Sequence, residues 1–119
     1  MPRIFESAKV SIMKIDLPPK SLKALEAKAE EVAITLSAMA NPKRLLVMCT
    51  LLGGEKSVGE LAEIVQLSPA ALSQHLGKMR ALRLVSTRRD GQTIYYSLAS
   101  TEVKTMLETL YKVYCAPEC

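Results

Sequence analysis

The stretch from Leu84 to Leu98 constrains this chain more than any other. Two β-prone runs, Leu84-Val85-Ser86-Thr87-Arg88-Arg89 and Gln92-Thr93-Ile94-Tyr95-Tyr96-Ser97-Leu98, flank the dipeptide Asp90-Gly91. Asp-Gly between such runs predicts a tight β-hairpin, because the turn that matches strand twist needs positive φ at its centre. A lone hairpin is marginal in water, so this one must lean on other elements. The residues before it supply helices.

Ser57-Val58-Gly59-Glu60 reads as a capping box, opening a short helix from Val58 to about Val65 that buries Val58, Leu61 and Val65. Gln66-Leu67 makes a tight connection. Ser68-Pro69 then starts a second helix, running to about Leu82 with Leu72, Leu76 and Met79 inward. Upstream, Asn41-Pro42 opens a helix through Leu45, Met48, Cys49 and Leu52, which Gly53-Gly54 stops. From Lys20 to Met39 a single apolar stripe (Leu22, Leu25, Ala29, Val32, Leu36, Met39) predicts a long first helix with surface to spare for a partner. A last helix, Glu102 to about Cys115, carries Val103, Leu107, Leu110 and Tyr114. Residues 1–19 show no period and close on Leu17-Pro18-Pro19, and read as a flexible arm ahead of one domain over 20–119.

The order is α-α-α-α-β-β-α, a mainly α chain with one hairpin. Helix, short turn, helix, then a basic hairpin is the order of a winged helix-turn-helix. The helix from Pro69 turns Ala70, Ser73, Gln74, His75 and Lys78 outward. Small and hydrogen-bonding side chains there let a backbone approach a major groove, where Ser and Gln address base edges. Ser68 sits at the helix N-terminus, whose amides suit a phosphate. Arg88, Arg89, Gln92 and Thr93 cluster at the hairpin tip, suited to phosphate or minor-groove contact. Lys and Arg exceed Asp and Glu by 16 to 12, a net charge of +4, which taken alone is a mild signal for nucleic acid and fits a solvated face better.

Other classes find little support. The chain lacks a Ser/His/Asp set, a phosphate loop and a CxxC pair, so an enzyme is not expected, nor is a cofactor. No apolar run spans a bilayer and no signal layout opens the chain, so a cytoplasmic protein without membrane contact is expected.

Several segments together resemble the ArsR/SmtB family of bacterial repressors. They are Leu36-Ser37-Ala38-Met39-Ala40-Asn41-Pro42-Lys43-Arg44-Leu45, Ser57-Val58-Gly59-Glu60-Leu61, Leu72-Ser73-Gln74-His75-Leu76, and Leu84-Val85 with a hairpin ending Tyr95-Tyr96-Ser97-Leu98. The resemblance covers roughly residues 30–115. It implies a homodimer joined through the first and last helices, two recognition helices on a near-palindromic double-stranded operator, and repression relieved by an inducer. Metal-sensing members carry a Cys-x-Cys where this chain reads Gly59-Glu60-Leu61-Ala62-Glu63-Ile64, and Asp and His ligands on a last helix that here has neither, so no metal site is expected.

Three cysteines remain: Cys49, Cys115 and Cys119. By spacing alone, Cys49 reads as a buried small hydrophobe and Cys115 as an incidental thiol. The chain is also similar to a reactive-sulfur and redox-responsive branch of the family, with one cysteine at each position and a Leu-x-x-x-Tyr-Cys ending like Leu110 to Cys115. That resemblance implies that reactive sulfur species or an oxidant bridge Cys49 to Cys115 and release the DNA. A repressor with passive cysteines stays open as the alternative. Cys119 falls outside the shared pattern.

Overall fold

The computed structural model describes residues 18–115. The expected flexible arm lies outside them except for Pro18 and Pro19, and Cys119 lies outside them too. The chain divides into two compact units, residues 1–33 and 34–119.

Of the first unit, residues 18–33 are described, and from Pro19 on they form the leading part of helix α1 (Pro19–Met39). Lys, Ala, Glu and Leu dominate the helix, and all are strong helix formers. The carbonyl of Pro18 accepts the first amides, from Ser21 at 2.9 Å and Leu22 at 3.1 Å. Leu22, Leu25 and Val32 remain 48%, 49% and 38% exposed. The apolar stripe predicted for this helix is therefore uncovered here, and only its end, at Ala38 and Met39, is buried.

The second unit holds the other elements. Helix α2 (Pro42–Leu51) starts where Asn41 Oδ1 accepts the amides of Lys43 and Arg44, both at 3.0 Å. Helix α3 (Val58–Val65) starts on the predicted capping box, Glu60 N–H to Ser57 Oγ at 3.2 Å and Ser57 N–H to Glu60 Oε1 at 2.9 Å. Helix α4 (Pro69–Ala81) is capped by Ser68, and α5 (Thr101–Tyr114) by Ser100. Their inward faces meet in one core around Met48, Leu61, Leu72, Leu76, Met79 and Leu107, each at most 1% exposed. Two charged side chains brace the helices by their tips: Lys43 Nζ donates to the Val65 carbonyl at 2.8 Å, and Arg44 Nε to the Ala38 carbonyl at 2.6 Å. Such groups satisfy helix-end carbonyls that otherwise lack partners.

The sheet departs from the sequence reading in two ways. Strands β2 (Val85–Asp90) and β3 (Thr93–Leu98) form the hairpin, but a two-residue strand β1 (Lys56–Ser57) joins the other edge of β3. The order becomes α-α-β-α-α-β-β-α. Two residues are too short to show an alternating pattern, and only the free edge of β3 makes them a strand. The turn is also one residue later than predicted. Asp90 pairs with Thr93, so Gly91 and Gln92 form the loop. Gly91 carries the positive φ of 63° at the first central position, where a type II′ turn needs glycine.

Among the described residues, two besides glycine also adopt the left-handed region, Gln66 at φ 59° and Arg83 at φ 61°. Gln66 caps α3 and lets its amide bond back to the Ala62 carbonyl, turning the chain into α4. Neither position announced itself in the sequence, because glycine or asparagine usually marks such a cap.

Candidate nucleic-acid interface and thiol pair

Helix α4 buries Leu72, Leu76 and Met79 and exposes Ala70, Ser73, Gln74 and Lys78, as its 3.6-residue period dictates. His75 is half-buried and so only partly on that face. Ser68 is exposed, and its hydroxyl accepts the Ala71 amide at 3.2 Å, which makes it first of all a helix cap. Gly77 shares the exposed face. A Cβ placed there meets nothing within 4 Å and the backbone is ordinary helix. Nothing within the chain therefore requires glycine, and mid-helix glycine costs about 0.5–1 kcal/mol against alanine. Gly77→Ala is expected to stabilise the fold by about that amount, read as a higher urea midpoint.

The hairpin sorts its side chains by strand period. Val85, Thr87 and Arg89 lie on one face, opposite Leu98, Tyr96 and Ile94, and the inner pair is buried. Ser86, Arg88 and Asp90 lie on the other face, opposite Ser97, Tyr95 and Thr93. Arg89, Gln92 and Thr93 are exposed at the tip. An open recess of about 390 Å³ separates Gln92, Thr93 and Ile94 from Ser57, Val58 and Gly59, so the wing tip stands beside the start of α3.

Arg88 is not a free cation. Its guanidinium grips the Glu55 carboxylate through two nitrogens, Nη2 to Oε1 at 2.6 Å and Nε to Oε1 and Oε2 at 3.1 and 3.2 Å. It also lies 4.6 Å from the centre of the Tyr95 ring. The hydrogen bond from Arg88 holds the Glu55 carboxyl below the usual carboxylate range.

The two thiols come from opposite ends of the second unit's sequence. Cys49, on α2, is half-buried and packs against the core. Cys115 ends α5, its amide donating to the Tyr111 carbonyl at 2.8 Å. Both are free and half-buried. Burial pushes the Cys49 thiol above its ordinary value, and charge on Cys115 pushes it further in the same direction. Among the described residues, no group of three or more His, Cys, Asp or Glu side chains is placed to hold a metal ion. Also among them, no helix is long and apolar enough to cross a membrane.

A capped helix-turn-helix with an exposed polar face, followed by a basic hairpin, defines a DNA-binding transcriptional regulator of the winged-helix class. Comparison with known proteins narrows the class. The profile of the bacterial regulatory protein, arsR family, matches residues 41–87. The chain is 47% identical over 97 residues to the transcriptional activator HlyU of Vibrio cholerae, covering 82% of this chain and 90% of that protein. It is 43% identical over 104 residues to the biofilm growth-associated repressor of Agrobacterium fabrum, covering 87% and 89%. The solved structure of reduced HlyU from Vibrio cholerae superposes with a TM-score of 0.75 over 78% of this chain and 98% of that one. A homodimeric winged helix-turn-helix DNA-binding domain from Mycobacterium bovis, 28% identical, gives 0.67 over 74% and 82%.

The chain belongs to the ArsR family of bacterial transcriptional regulators, within the branch that includes HlyU and the biofilm growth-associated repressor. It is a regulator and not an enzyme.

Proposed function

We propose that this protein is a dimeric repressor that leaves its operator when Cys49 and Cys115 become bridged by reactive sulfur or an oxidant. What supports the reading is a pair of free, half-buried thiols, one on the helix leading into the DNA-reading elements and one at the end of the last helix. In this reading Ser73, Gln74 and Lys78 on α4, with Ala70 allowing close approach and His75 at the margin, address the major groove. Ser68 and the wing residues Arg89, Gln92 and Thr93 meet the phosphates, and Arg88 steadies the wing.

The chemistry balances with a persulfide as oxidant. Cys115, at the helix end, attacks as thiolate the outer sulfur of glutathione persulfide, and glutathione thiolate leaves. Cys49 then attacks the Cys115 sulfur of that new persulfide and hydrosulfide leaves. Two thiols and one persulfide give one disulfide, one glutathione and one hydrogen sulfide. If both cysteines are first persulfidated, attack by one outer sulfur on the other's inner sulfur expels hydrosulfide and leaves a trisulfide bridge. Burial disfavours the Cys49 thiolate, which suits it to the second step rather than the first.

Dimerisation is supported by the uncovered apolar side chains, Leu22, Leu25, Val32 and Leu36 on α1 and Tyr111, Val113 and Tyr114 on α5. Helices with such stripes bury them against a partner. The homodimeric relative from Mycobacterium bovis fits the same reading. Light scattering at micromolar concentration should give the mass of two chains, and Leu36→Glu should shift it to one. A monomeric wild type would overturn the dimer. The whole reading is tested by fluorescence anisotropy on DNA from upstream of the protein's own gene, with reduced and persulfide-treated protein; equal binding by both would rule out the switch.

A further inference from the structure

We propose that Glu55 is a positioning residue for the DNA-reading wing, holding Arg88 in a two-pronged ion pair across the three-stranded sheet. The proposal rests on the reading that the wing meets DNA. Its geometry comes from the strand that the sequence conceals. Arg88 on β2 lies directly opposite Tyr95 on β3, and Tyr95 directly opposite Ser57 on β1. Residues opposite one another on antiparallel strands share a face, and residues two apart on one strand share it as well. Glu55 lies in the loop just before β1, and its carboxylate meets Arg88 from that far edge of the sheet. The guanidinium crosses the ring of Tyr95 to reach it.

Exposed ion pairs usually add little, because water and salt screen them and two long side chains lose freedom. This pair differs in two respects. The planar guanidinium meets both carboxylate oxygens, a geometry that fixes orientation as well as distance. The aromatic ring beneath it supplies a third attachment. Among the described residues the hairpin's outer strand, β2, has no strand on its other side, so this contact ties it to more than β3 alone. It anchors β2 to the loop that follows α2, the helix carrying Cys49.

The consequence separates two uses of a wing arginine. If Arg88 were a phosphate contact merely restrained by Glu55, removing the carboxylate would free a cation and tighten binding to every DNA. If Glu55 positions the wing, Glu55→Gln makes the protein more positive yet weakens operator binding. Expected is a loss of about three- to tenfold on the operator, with unchanged or tighter binding to unrelated DNA. Arg88→Lys keeps the charge but not the fork, and should lose as much as Arg88→Gln; the double variant Glu55→Gln/Arg88→Gln should lose no more than either alone. Arg89→Gln, at a residue with no such partner among the described residues, should weaken both DNAs and flatten the salt dependence by about one.

Hydrogen exchange on the DNA-free protein tests the proposal without relying on the DNA reading. Amides of 85–98 should exchange faster in Glu55→Gln than in wild type while those of α4 do not change. Unchanged exchange in the hairpin, or operator binding at wild-type strength in Glu55→Gln or Arg88→Lys, would overturn it. Failure of the DNA reading itself appears elsewhere, as a Gln74→Ala variant that binds operator normally.

Discussion

Cys49→Ser and Cys115→Ser proteins are expected to bind operator DNA as reduced wild type does and to stay bound after treatment with glutathione persulfide. Wild type and Cys119→Ser should be released, with operator affinity falling about 5- to 150-fold, the range that corresponds to 1–3 kcal/mol of coupling. The reason lies in what a bridge connects. Cys49 sits on α2, which Lys43 fastens to the end of α3 through the Val65 carbonyl. Cys115 sits at the end of α5, beside the uncovered Tyr111 and Tyr114. A covalent tie between them joins the elements that aim α4 to a helix offered to the partner chain. Dimers of this class read half-sites about one helical turn apart, so a small change of spacing is costly. A direct disulfide needs the two Cα atoms within about 7 Å, and an extra sulfur tolerates more. Peptide mass spectrometry should find Cys49 joined to Cys115, directly or through added sulfur. Because burial raises the Cys49 thiol, closure of the bridge should speed up as pH rises. Release of either single variant as readily as wild type would leave a repressor with passive cysteines.

The elements legible in the sequence are those with a local physical signature. Helix starts at Asn41-Pro42, Ser57 with Glu60, and Ser68-Pro69 were readable because a short side-chain acceptor must sit where orphan amides begin. The exposed face of α4 followed from the positions of Leu72, Leu76 and Met79. What escaped was non-local. Strand β1 exists because β3 offers an edge across many intervening residues, and two residues carry no period. The turn moved to Gly91-Gln92 because pairing of the whole hairpin, with Val85 opposite Leu98, fixes the register more firmly than one dipeptide. The engagement of Arg88 by Glu55 depends on both errors being corrected, so the arginine read as one more basic residue at the tip. The pairing of Cys49 with Cys115 was likewise invisible to spacing and entered only through family resemblance.

Ser73→Ala and Gln74→Ala are each expected to cost about 1–3 kcal/mol per half-site on the operator, the value of a well-made base contact. A homodimer carries either change twice, so the loss on a two-fold operator approaches about 2–6 kcal/mol when both half-sites are read alike. Both side chains are exposed, so stability should be little affected. Binding to unrelated DNA should also hold, since it depends on phosphate charge rather than on base edges. Gly77 provides the complementary test. Alanine there should strengthen the helix, yet its methyl group projects from the same face that must approach the groove. A more stable protein that binds operator less well would show that the glycine serves contact and not folding. Anisotropy titrations on operator and scrambled DNA at two salt concentrations separate these effects. Should Ser73→Ala and Gln74→Ala both match wild type on the operator, the exposed face of α4 is not the reading face.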